Sequence, residues 1–223
     1  ELSGVIESLG RGVSGLEVGQ RVVAAMPNGG QSSHVVAKAA RVIPIPDEMG
    51  LDVAAAMPVT YLTAHHMLHH LGHLQQGETV LIHGGAGGVG TAALQICQWA
   101  GIEQVWATAS GHKAHIIETY GGIPIDRHNH DFVRLIKQAT NGRGVDHILD
   151  PIGGENLTRS LSVLAEGGRL YTYGMSAAAP TSKRSLIRAF LAWRKTPKFD
   201  PLRLMTKNRG VFGVHMGTWK DEE

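Results

Sequence analysis

Apolar and polar residues alternate in blocks along the chain from Glu78 onward. Short apolar runs bounded by turn residues are typical of buried strands, and they lie at 79–83, 105–109, 122–125, 145–149, 168–173 and 210–215. Apolar residues at helical spacing fill the gaps and predict helices at 89–100, 112–120, 131–140, 155–164 and about 183–194. Strands that alternate with helices predict an α/β fold with a doubly wound parallel sheet.

The N-terminal part of the chain shows a different pattern. Short apolar segments at 4–9, 20–25 and 34–37 are separated by glycine-rich turns, which predicts a small β-rich domain. A helix is expected from about Thr60 to Leu71. We therefore divide the chain into a β-rich domain at 1–56 and an α/β domain at 57–223.

A glycine-rich turn follows the first strand of the α/β domain. Residues 85–90 have the spacing G-x-G-x-x-G and lead directly into the next helix. In a dinucleotide-binding turn, Gly85 would permit the tight turn, Gly87 would let the backbone approach a pyrophosphate, and Gly90 would let the helix pack closely. Gly88 and Val89 would offer N–H groups to the phosphates at the helix N-terminus. The alternative is an ordinary tight turn without a ligand, but the flanking strand and helix favour the dinucleotide site.

The residues after the second and third strands bear on which dinucleotide is bound. A site for NAD usually carries Asp or Glu at the end of the second strand, and neither stands there. Ser110 could instead donate a hydrogen bond to a 2′-phosphate, and Lys113 could neutralise its charge. Arg127, just after the third strand, is a further candidate contact. These residues favour NADPH over NADH; alternatively, Lys113 is a solvated helix residue and Arg127 a surface cation.

The composition is that of a globular protein. The chain has 223 residues, of which 43% are hydrophobic and 18% are charged, and its net charge is +2. No apolar run approaches the ~18 residues that would span a bilayer. Cys97 is the only cysteine, which excludes an intrachain disulfide and fits a reducing compartment. We therefore expect a cytoplasmic protein.

Positive charge is concentrated near the C-terminal end of the chain. Between Met175 and Arg209, Asp200 is the only acid, and the basic residues are Lys183, Arg184, Arg188, Arg194, Lys195, Lys198, Arg203, Lys207 and Arg209. A charge this local points to a site or surface and not to a nucleic-acid partner. Within it, the segment 186–191 would place apolar residues on one helical face. Such a helix either packs on the protein core or lies on an anionic membrane surface.

Five histidines lie on or just beyond the helix predicted at 60–71, namely His65, His66, His69, His70 and His73. Pairs of them stand at i, i+4 spacing, which can chelate a transition metal. No neighbouring acid is present to orient such ligands. We therefore interpret the histidines as a partly exposed helix face with incidental metal affinity and predict no dedicated metal site.

Motifs along nearly the whole chain carry a family resemblance. They include residues 3–10 and 18–22, AAAMPVTYLTA at 54–64 and HGGAGGVG at 83–90. The chain resembles the zinc-independent quinone oxidoreductase branch of the medium-chain dehydrogenase/reductases. In that family these motifs belong to the GroES-like catalytic domain, the interdomain segment and the cofactor turn. DPIGG at 150–154, YTYGM at 171–175 and the basic segment look most similar to the vesicle amine transport protein subgroup.

The resemblance implies an activity and roles for individual residues. It implies transfer of a hydride from NADPH to a quinone or an activated alkene or carbonyl, without zinc. Thr63 would lie against the nicotinamide, and the backbone of Gly174 and Met175 would contact its amide. Asp150 would line the same cleft. Independently of the resemblance, Tyr61 or water could supply the proton that the reduced substrate takes up. Without the resemblance, Thr63 would be interpreted as a helix hydroxyl bonded to a backbone carbonyl.

The resemblance also bears on the extent of the chain. Complete members of the family are longer at both ends, and Glu1 opens within a strand pattern, so we expect the chain to be part of a longer protein. An incomplete GroES-like domain would then precede the Rossmann sheet, and the complete protein would be a homodimer. The principal prediction is an NADPH-dependent reductase of small molecules. The alternative is a protein that keeps the fold but attaches to lipid or membrane surfaces through the basic segment 183–209.

Overall fold

The structure consists of two units. The computed structural model describes residues 1–26, 28–178 and 194–218. One unit comprises residues 1–62 together with a short piece that begins at Met216, and the other comprises Thr63–His215. The division follows Leu62, whereas the sequence analysis places its domain boundary after residue 56.

The smaller unit contains three short strands, β1 (Leu2–Val5), β2 (Arg21–Ala24) and β3 (Val42–Pro44). They pair antiparallel in the order β1-β2-β3. The strand predicted at 34–37 is wrong: these residues form no strand, and the Val36 side chain is 96% exposed. The third strand lies at 42–44 instead, where Pro44 is tolerated because β3 is an edge strand.

Two helices follow these strands, α1 (Leu51–Ala55) and α2 (Pro58–His65). The helix α2 continues into a π-helical turn at His66–Leu71. The helix predicted at 60–71 is therefore present, but its second half is wound more widely than an α-helix.

A parallel sheet forms the centre of the larger unit. Its strands are β4 (Thr79–His83), β5 (Gln104–Ala109), β6 (Ile123–Asp126), β7 (Val145–Asp150), β8 (Leu164–Thr172) and β9 (Gly210–Gly213). They pair in the order β6-β5-β4-β7-β8-β9, and every pair is parallel. Strand order runs outward from β4 in both directions, which is the doubly wound arrangement. The predicted α/β fold class is confirmed.

The helices of the larger unit lie between its strands in the chain. They are α3 (Gly88–Trp99), α4 (Ala114–Thr119), α5 (Phe132–Ala139), α6 (Glu155–Ser162) and α7 (Pro201–Thr206). The sequence analysis missed α7, although Asp200 caps it by accepting from the Leu202 N–H and Pro201 opens its first turn. The helix predicted at about 183–194 lies outside the described residues except for Arg194. Within the described ranges, none of the helices is long and apolar enough to cross a bilayer.

The core of the larger unit joins the sheet to α5 and α6. Leu81, Ile148 and Leu170 come from the adjacent strands β4, β7 and β8, and they belong to one cluster with Ile136 of α5 and Leu157 of α6. Strands β4 and β7 are buried along their whole length. The apolar centre of β4 reveals that strand in the sequence, whereas β7 also buries Asp146, His147 and Asp150.

Arg209 holds the end of α6 and the start of β8. Its Nε and Nη1 donate to the carbonyls of Ala165 and Leu161 at 3.1 Å each, and its Nη2 donates to the Leu164 carbonyl. We expect Arg209→Met to lower the free energy of unfolding by about 1–3 kcal/mol, measured in urea, because carbonyls at the end of a helix lose their donor. Arg203→Met is the control, since the Arg203 side chain is 90% exposed. Equal losses in the two variants would contradict this role.

Candidate functional site

The predicted glycine turn joins β4 to α3. Gly84 has a φ of +69°, in the left-handed region that favours glycine. The tight turn therefore depends on Gly84, which corrects the role predicted for Gly85. Gly85 lacks a side chain for another reason, because a Cβ there would lie 2.5 Å from the Cβ of Ala107 on β5. The turn is thus pressed against the neighbouring strand.

Gly87 and Gly90 shape the first turn of α3. A Cβ on Gly90 would lie 2.7 Å from the Cα of Gly85, so the helix packs directly on the glycine turn. Gly87 is the N-cap and has no side chain to cap the helix, which leaves the amides of Gly88 and Val89 for a ligand. A Cβ on Gly87 would meet only the Gly84 carbonyl oxygen, at 3.3 Å. A phosphate group fits this cradle, because an uncapped helix N-terminus binds anions.

The loops after β5 and β6 bring a second group of side chains together. The Oγ of Ser110 lies 3.5 Å from the Nε2 of His128, and the Nε of Arg127 donates to the same nitrogen at 3.2 Å. Lys113 is exposed at the end of the short 3-10 turn Gly111–Lys113. Ser110 and Arg127 are therefore neighbours, with His128 between them. The sequence analysis did not single out His128.

Asp126, at the end of β6, is a second residue that the sequence analysis missed. Its carboxylate lies against Gly111, where a Cβ would be 2.6 Å from Oδ2. The carboxylate accepts from the backbone N–H of His128 at 3.0 Å and from the side chain of Asn129 at 2.7 Å, and these bonds hold its pKa below the usual value. No acid follows β5 in the chain, but the pairing of Ala109 with Asp126 brings one to that place. Strand pairing was the signal that could have found it.

Asp150 organises the loop after β7. Its side chain is fully buried, and Oδ1 accepts from the N–H groups of Ile152 at 2.8 Å and Gly153 at 3.0 Å. Its Oδ2 accepts from Asn156 at 2.9 Å and from Ser160 at 3.0 Å. The predicted role of Asp150 as a cleft-lining contact is therefore corrected, because its carboxylate lies behind the loop and shapes it.

Gly174 and Met175 lie in the loop after β8, which packs on the loop after β7. The N–H of Ser176 donates to the carbonyl of Pro151 at 2.9 Å. Gly153 has a φ of +75°, and a Cβ on it would lie 3.3 Å from the Gly174 carbonyl oxygen. Met175 is 48% exposed. The two loops thus form one backbone surface at the carboxyl ends of β7 and β8.

A cavity of about 90 Å³ opens beside the ends of these strands. Its lining includes His83 and Thr108 from β4 and β5, and Arg127, His130 and Arg159 supply basic side chains. In doubly wound sheets, ligands bind in the crevice at the carboxyl ends of the strands near the point where strand order reverses. The cavity, the glycine turn and the Ser110–Arg127 pair all lie at this edge.

Thr63 and Tyr61 fall in different units. Thr63 is 6% exposed on α2 and belongs to the larger unit, whereas Tyr61 is half-buried and belongs to the smaller one. Their roles in positioning the nicotinamide and in supplying the proton stay predictions.

The histidines of α2 and the π-helical turn form two ring pairs. The ring centroids of His65 and His69, and those of His66 and His70, are 4.9 Å apart. Burial and neighbouring histidines lower the pKa of His66 and His69. Across the described part of the chain, no group of three or more His, Cys, Asp or Glu is arranged to hold a metal ion.

Several cations of the basic segment have partners within the larger unit. Lys195 pairs with Glu155 at 3.1 Å, and Lys207 pairs with Glu166 at 2.5 Å. Arg209 donates to three backbone carbonyls, as described above. Part of the positive charge at 194–209 therefore serves contacts inside the protein.

The strand order and the glycine turn define a class of protein: the larger unit is a Rossmann-type α/β domain. A family model described as "Zinc-binding dehydrogenase" matches residues 88–223, more than half of the chain. The chain belongs to this family, within the medium-chain dehydrogenase/reductase superfamily, and the resemblance found in the sequence is confirmed.

Three similar proteins place the chain more closely. The "Synaptic vesicle membrane protein VAT-1 homolog" of Rattus norvegicus is 36% identical over 218 residues, which are 97% of this chain and 54% of that protein. The CurK enoyl reductase structure has a TM-score of 0.78 at 32% identity, over 95% of this chain and 58% of that one. The Escherichia coli quinone oxidoreductase complexed with NADPH has a TM-score of 0.76 at 26% identity, over 96% and 61%. The chain spans about half the length of the curated relative.

Proposed function

We propose that the larger unit binds NADP(H) and that the complete protein reduces a quinone or an activated alkene or carbonyl with it. The family supports an oxidoreductase, since one similar structure is an enoyl reductase and another is a quinone oxidoreductase complexed with NADPH. The observation that carries the proposal is the uncapped start of α3. There Gly87 leaves the first-turn amides accessible and Gly90 holds the helix against the turn.

Each loop at this edge has a separate task in the proposed site. The amides of Gly88 and Val89 bind the pyrophosphate, whose charge the helix dipole favours. Ser110, Lys113 and Arg127 bind the 2′-phosphate through hydrogen bonds and charge. The nearby carboxylate of Asp126 opposes that charge, but it is turned toward the His128 amide and the Asn129 side chain.

The reaction itself depends on the bound nicotinamide, which supplies the hydride. The residues of this chain would orient it: Thr63 would lie against the ring, and the backbone of Gly174 and Met175 would hold its amide. Tyr61 or a water molecule would hold the proton that the reduced substrate takes up.

Fluorescence titration of the protein with NADPH and NADH tests the proposal directly. We expect saturable binding of NADPH and weaker binding of NADH, because NADH lacks the 2′-phosphate. If the protein binds neither nucleotide, the proposed function is refuted. Equal affinity would leave a dinucleotide site and refute the role of Ser110, Lys113 and Arg127.

Reversing the charge of Lys113 provides a sharper test of cofactor choice. We expect Lys113→Glu to weaken NADPH binding about tenfold or more and to leave NADH binding nearly unchanged, since only NADPH carries the additional phosphate. Lys137→Glu is the matched control, because Lys137 is exposed on α5 and belongs to no part of the proposed site. Equal weakening of both nucleotides by Lys113→Glu would contradict the assignment.

The lipid-attachment alternative finds no support in the described part of the basic segment. Lys195, Lys207 and Arg209 are engaged in contacts within the larger unit. The segment 186–191, on which the amphipathic face was predicted, lies outside the described residues. Zinc independence, the homodimer and the cytoplasmic location stay predictions of the sequence.

A further inference from the structure

Four buried polar side chains lie beneath the glycine turn and join four elements of the larger unit. They are Thr108 of β5, His83 of β4, Ser160 of α6 and Asp150 of β7, and each is at most 3% exposed. The Nδ1 of His83 lies 3.2 Å from the Oγ1 of Thr108, and its Nε2 lies 3.1 Å from the Oγ of Ser160. Ser160 in turn lies 3.0 Å from Asp150. The hydrogen bonds are therefore continuous from β5 to β7.

The donor and the acceptor of each bond in this hydrogen-bond chain can be assigned by starting from Asp150. The carboxylate of Asp150 only accepts, so the single proton of the Ser160 hydroxyl points to Oδ2. Ser160 must then accept from His83, which places the imidazole proton on Nε2. The unprotonated Nδ1 accepts from Thr108, whose oxygen is free to accept from the N–H of Gly84 at 3.2 Å. Every bond runs in the same direction, from the glycine turn to Asp150.

The surroundings of His83 keep it neutral. Burial lowers its pKa to about 4; the positive charge of Arg159 acts in the same direction, and the negative charge of Asp150 opposes it. The His83 ring also packs edge-on against Phe132, with ring centroids 4.6 Å apart. The Cζ of Arg159 lies 4.5 Å from the centroid of the Phe132 ring. A neutral imidazole has one donor and one acceptor, which is what the ordered chain requires.

The two ends of the hydrogen-bond chain are backbone amides of the two loops that flank the proposed cofactor site. At one end is the N–H of Gly84, the residue with positive φ that makes the glycine turn. At the other end, Asp150 holds the N–H groups of Ile152 and Gly153. The relative position of the two loops thus depends on these side chains, of which His83 and Thr108 also line the cavity at the strand ends.

We propose that Thr108, His83 and Ser160 are positioning residues, which hold the glycine turn and the loop at 150–154 in place for the dinucleotide through an imidazole protonated on Nε2. This inference rests on the proposed binding of NADP(H). The sequence contains one hint of it, since His83 is a polar residue that directly follows the three apolar residues at the centre of β4.

The first test measures the tautomer of His83 in the protein without nucleotide. Nitrogen-15 NMR distinguishes protonated from unprotonated imidazole nitrogens. We expect a protonated Nε2 whose hydrogen exchanges slowly with water, and an unprotonated Nδ1 at neutral pH. A proton on Nδ1, or a charged ring at pH 7, would overturn the ordered chain whether or not the protein binds NADPH.

The second test measures NADPH affinity in matched variants. Thr108→Val removes the hydroxyl at nearly constant volume, and we expect it to weaken NADPH binding about tenfold. Thr108→Ser keeps the hydroxyl and should bind within about threefold of the original protein. Ser160→Ala should also weaken binding about tenfold, whereas Ser162→Ala should not, because Ser162 is an exposed residue of the same helix whose hydroxyl donates to the Arg159 carbonyl.

The outcomes separate the positioning role from the proposed function. If the original protein binds no NADPH, the proposed function fails and the tautomer measurement still decides the hydrogen-bond chain. If folded Thr108→Val and Ser160→Ala bind NADPH as tightly as the original protein, the positioning role is refuted. If Thr108→Ser fails to restore affinity, the loss in Thr108→Val comes from packing and the role is refuted as well.

Discussion

Replacing Gly90 with alanine is expected to reduce both the stability of the protein and its affinity for NADPH. The added Cβ would lie 2.7 Å from the Cα of Gly85 and 2.8 Å from its carbonyl carbon, and backbone atoms cannot rotate away. Alanine favours a helix over glycine by about 1 kcal/mol, but displacing α3 from the turn outweighs this and should cost about 1–3 kcal/mol net. The same displacement moves the amides of the first turn, so NADPH affinity should fall on the order of 100-fold.

Gly87→Ala is the matched control within the same turn. Gly87 has φ −93° and ψ 172°, which alanine adopts readily, and its Cβ would meet only one carbonyl oxygen at 3.3 Å. We expect stability to change by less than about 1 kcal/mol. The methyl group would still stand where a phosphate must approach the backbone, so NADPH binding should weaken. Urea denaturation and nucleotide titration check both variants, and normal NADPH binding by Gly90→Ala would contradict the cradle.

Acidification below pH 6.5 is expected to destabilise the protein strongly through His83. The pKa of this buried ring is about 4 in the folded state, whereas histidine in an unfolded chain has a pKa near 6.5. Between these values the unfolded state binds a proton that the folded state rejects, so stability falls as the pH falls. The contribution is fully present above about pH 6.5 and amounts to about 3 kcal/mol lost by about pH 4. Burial also lowers the pKa of His147, which acts in the same direction despite the opposing charge of Glu78.

The free energy of unfolding in urea, measured at several pH values, isolates this effect when variants are compared. His83→Asn removes the titrating group. The slope of the free energy of unfolding against pH between about 4.5 and 6 should therefore decrease by the amount that corresponds to about one bound proton. His115→Asn serves as the control, because His115 is an exposed histidine of α4 and its loss should leave the slope nearly unchanged. An unchanged slope in His83→Asn would show that this ring does not stay neutral in the fold.

The elements that the sequence predicted well are those whose signal is local. Strand β4 has three consecutive apolar residues at its centre because both of its faces are buried, and the glycine spacing after β4 predicted a turn and a helix start. The segment 34–37 is also apolar but forms no strand, and Val36 is 96% exposed, so the local signal misled. The helix α7 was missed although Asp200 and Pro201 carried its capping signal.

The candidate site was predictable from the sequence only for residues whose position after a strand can be recognised locally. Ser110 and Arg127 were found by their positions after two strands, and the structure brings them together through His128. Asp126 was not predicted because it lies at the end of β6 in the sequence, and only the pairing of β6 with β5 brings its carboxylate beside Gly111. Asp150 was placed in the right loop with the wrong orientation, since its partners on α6 fix which way the carboxylate points.

The sequence by itself therefore determined the fold class, the family and the position of the glycine turn, because periodicity and glycine spacing act over a few residues. The tertiary structure decided that Gly84 carries the positive φ, that an acid faces Gly111 and that His83 links two loops. Those features depend on which strands become neighbours. In a doubly wound sheet β4 lies beside β7, so residues more than 60 positions apart in the chain come within hydrogen-bonding distance, as Thr79 and Asp146 do.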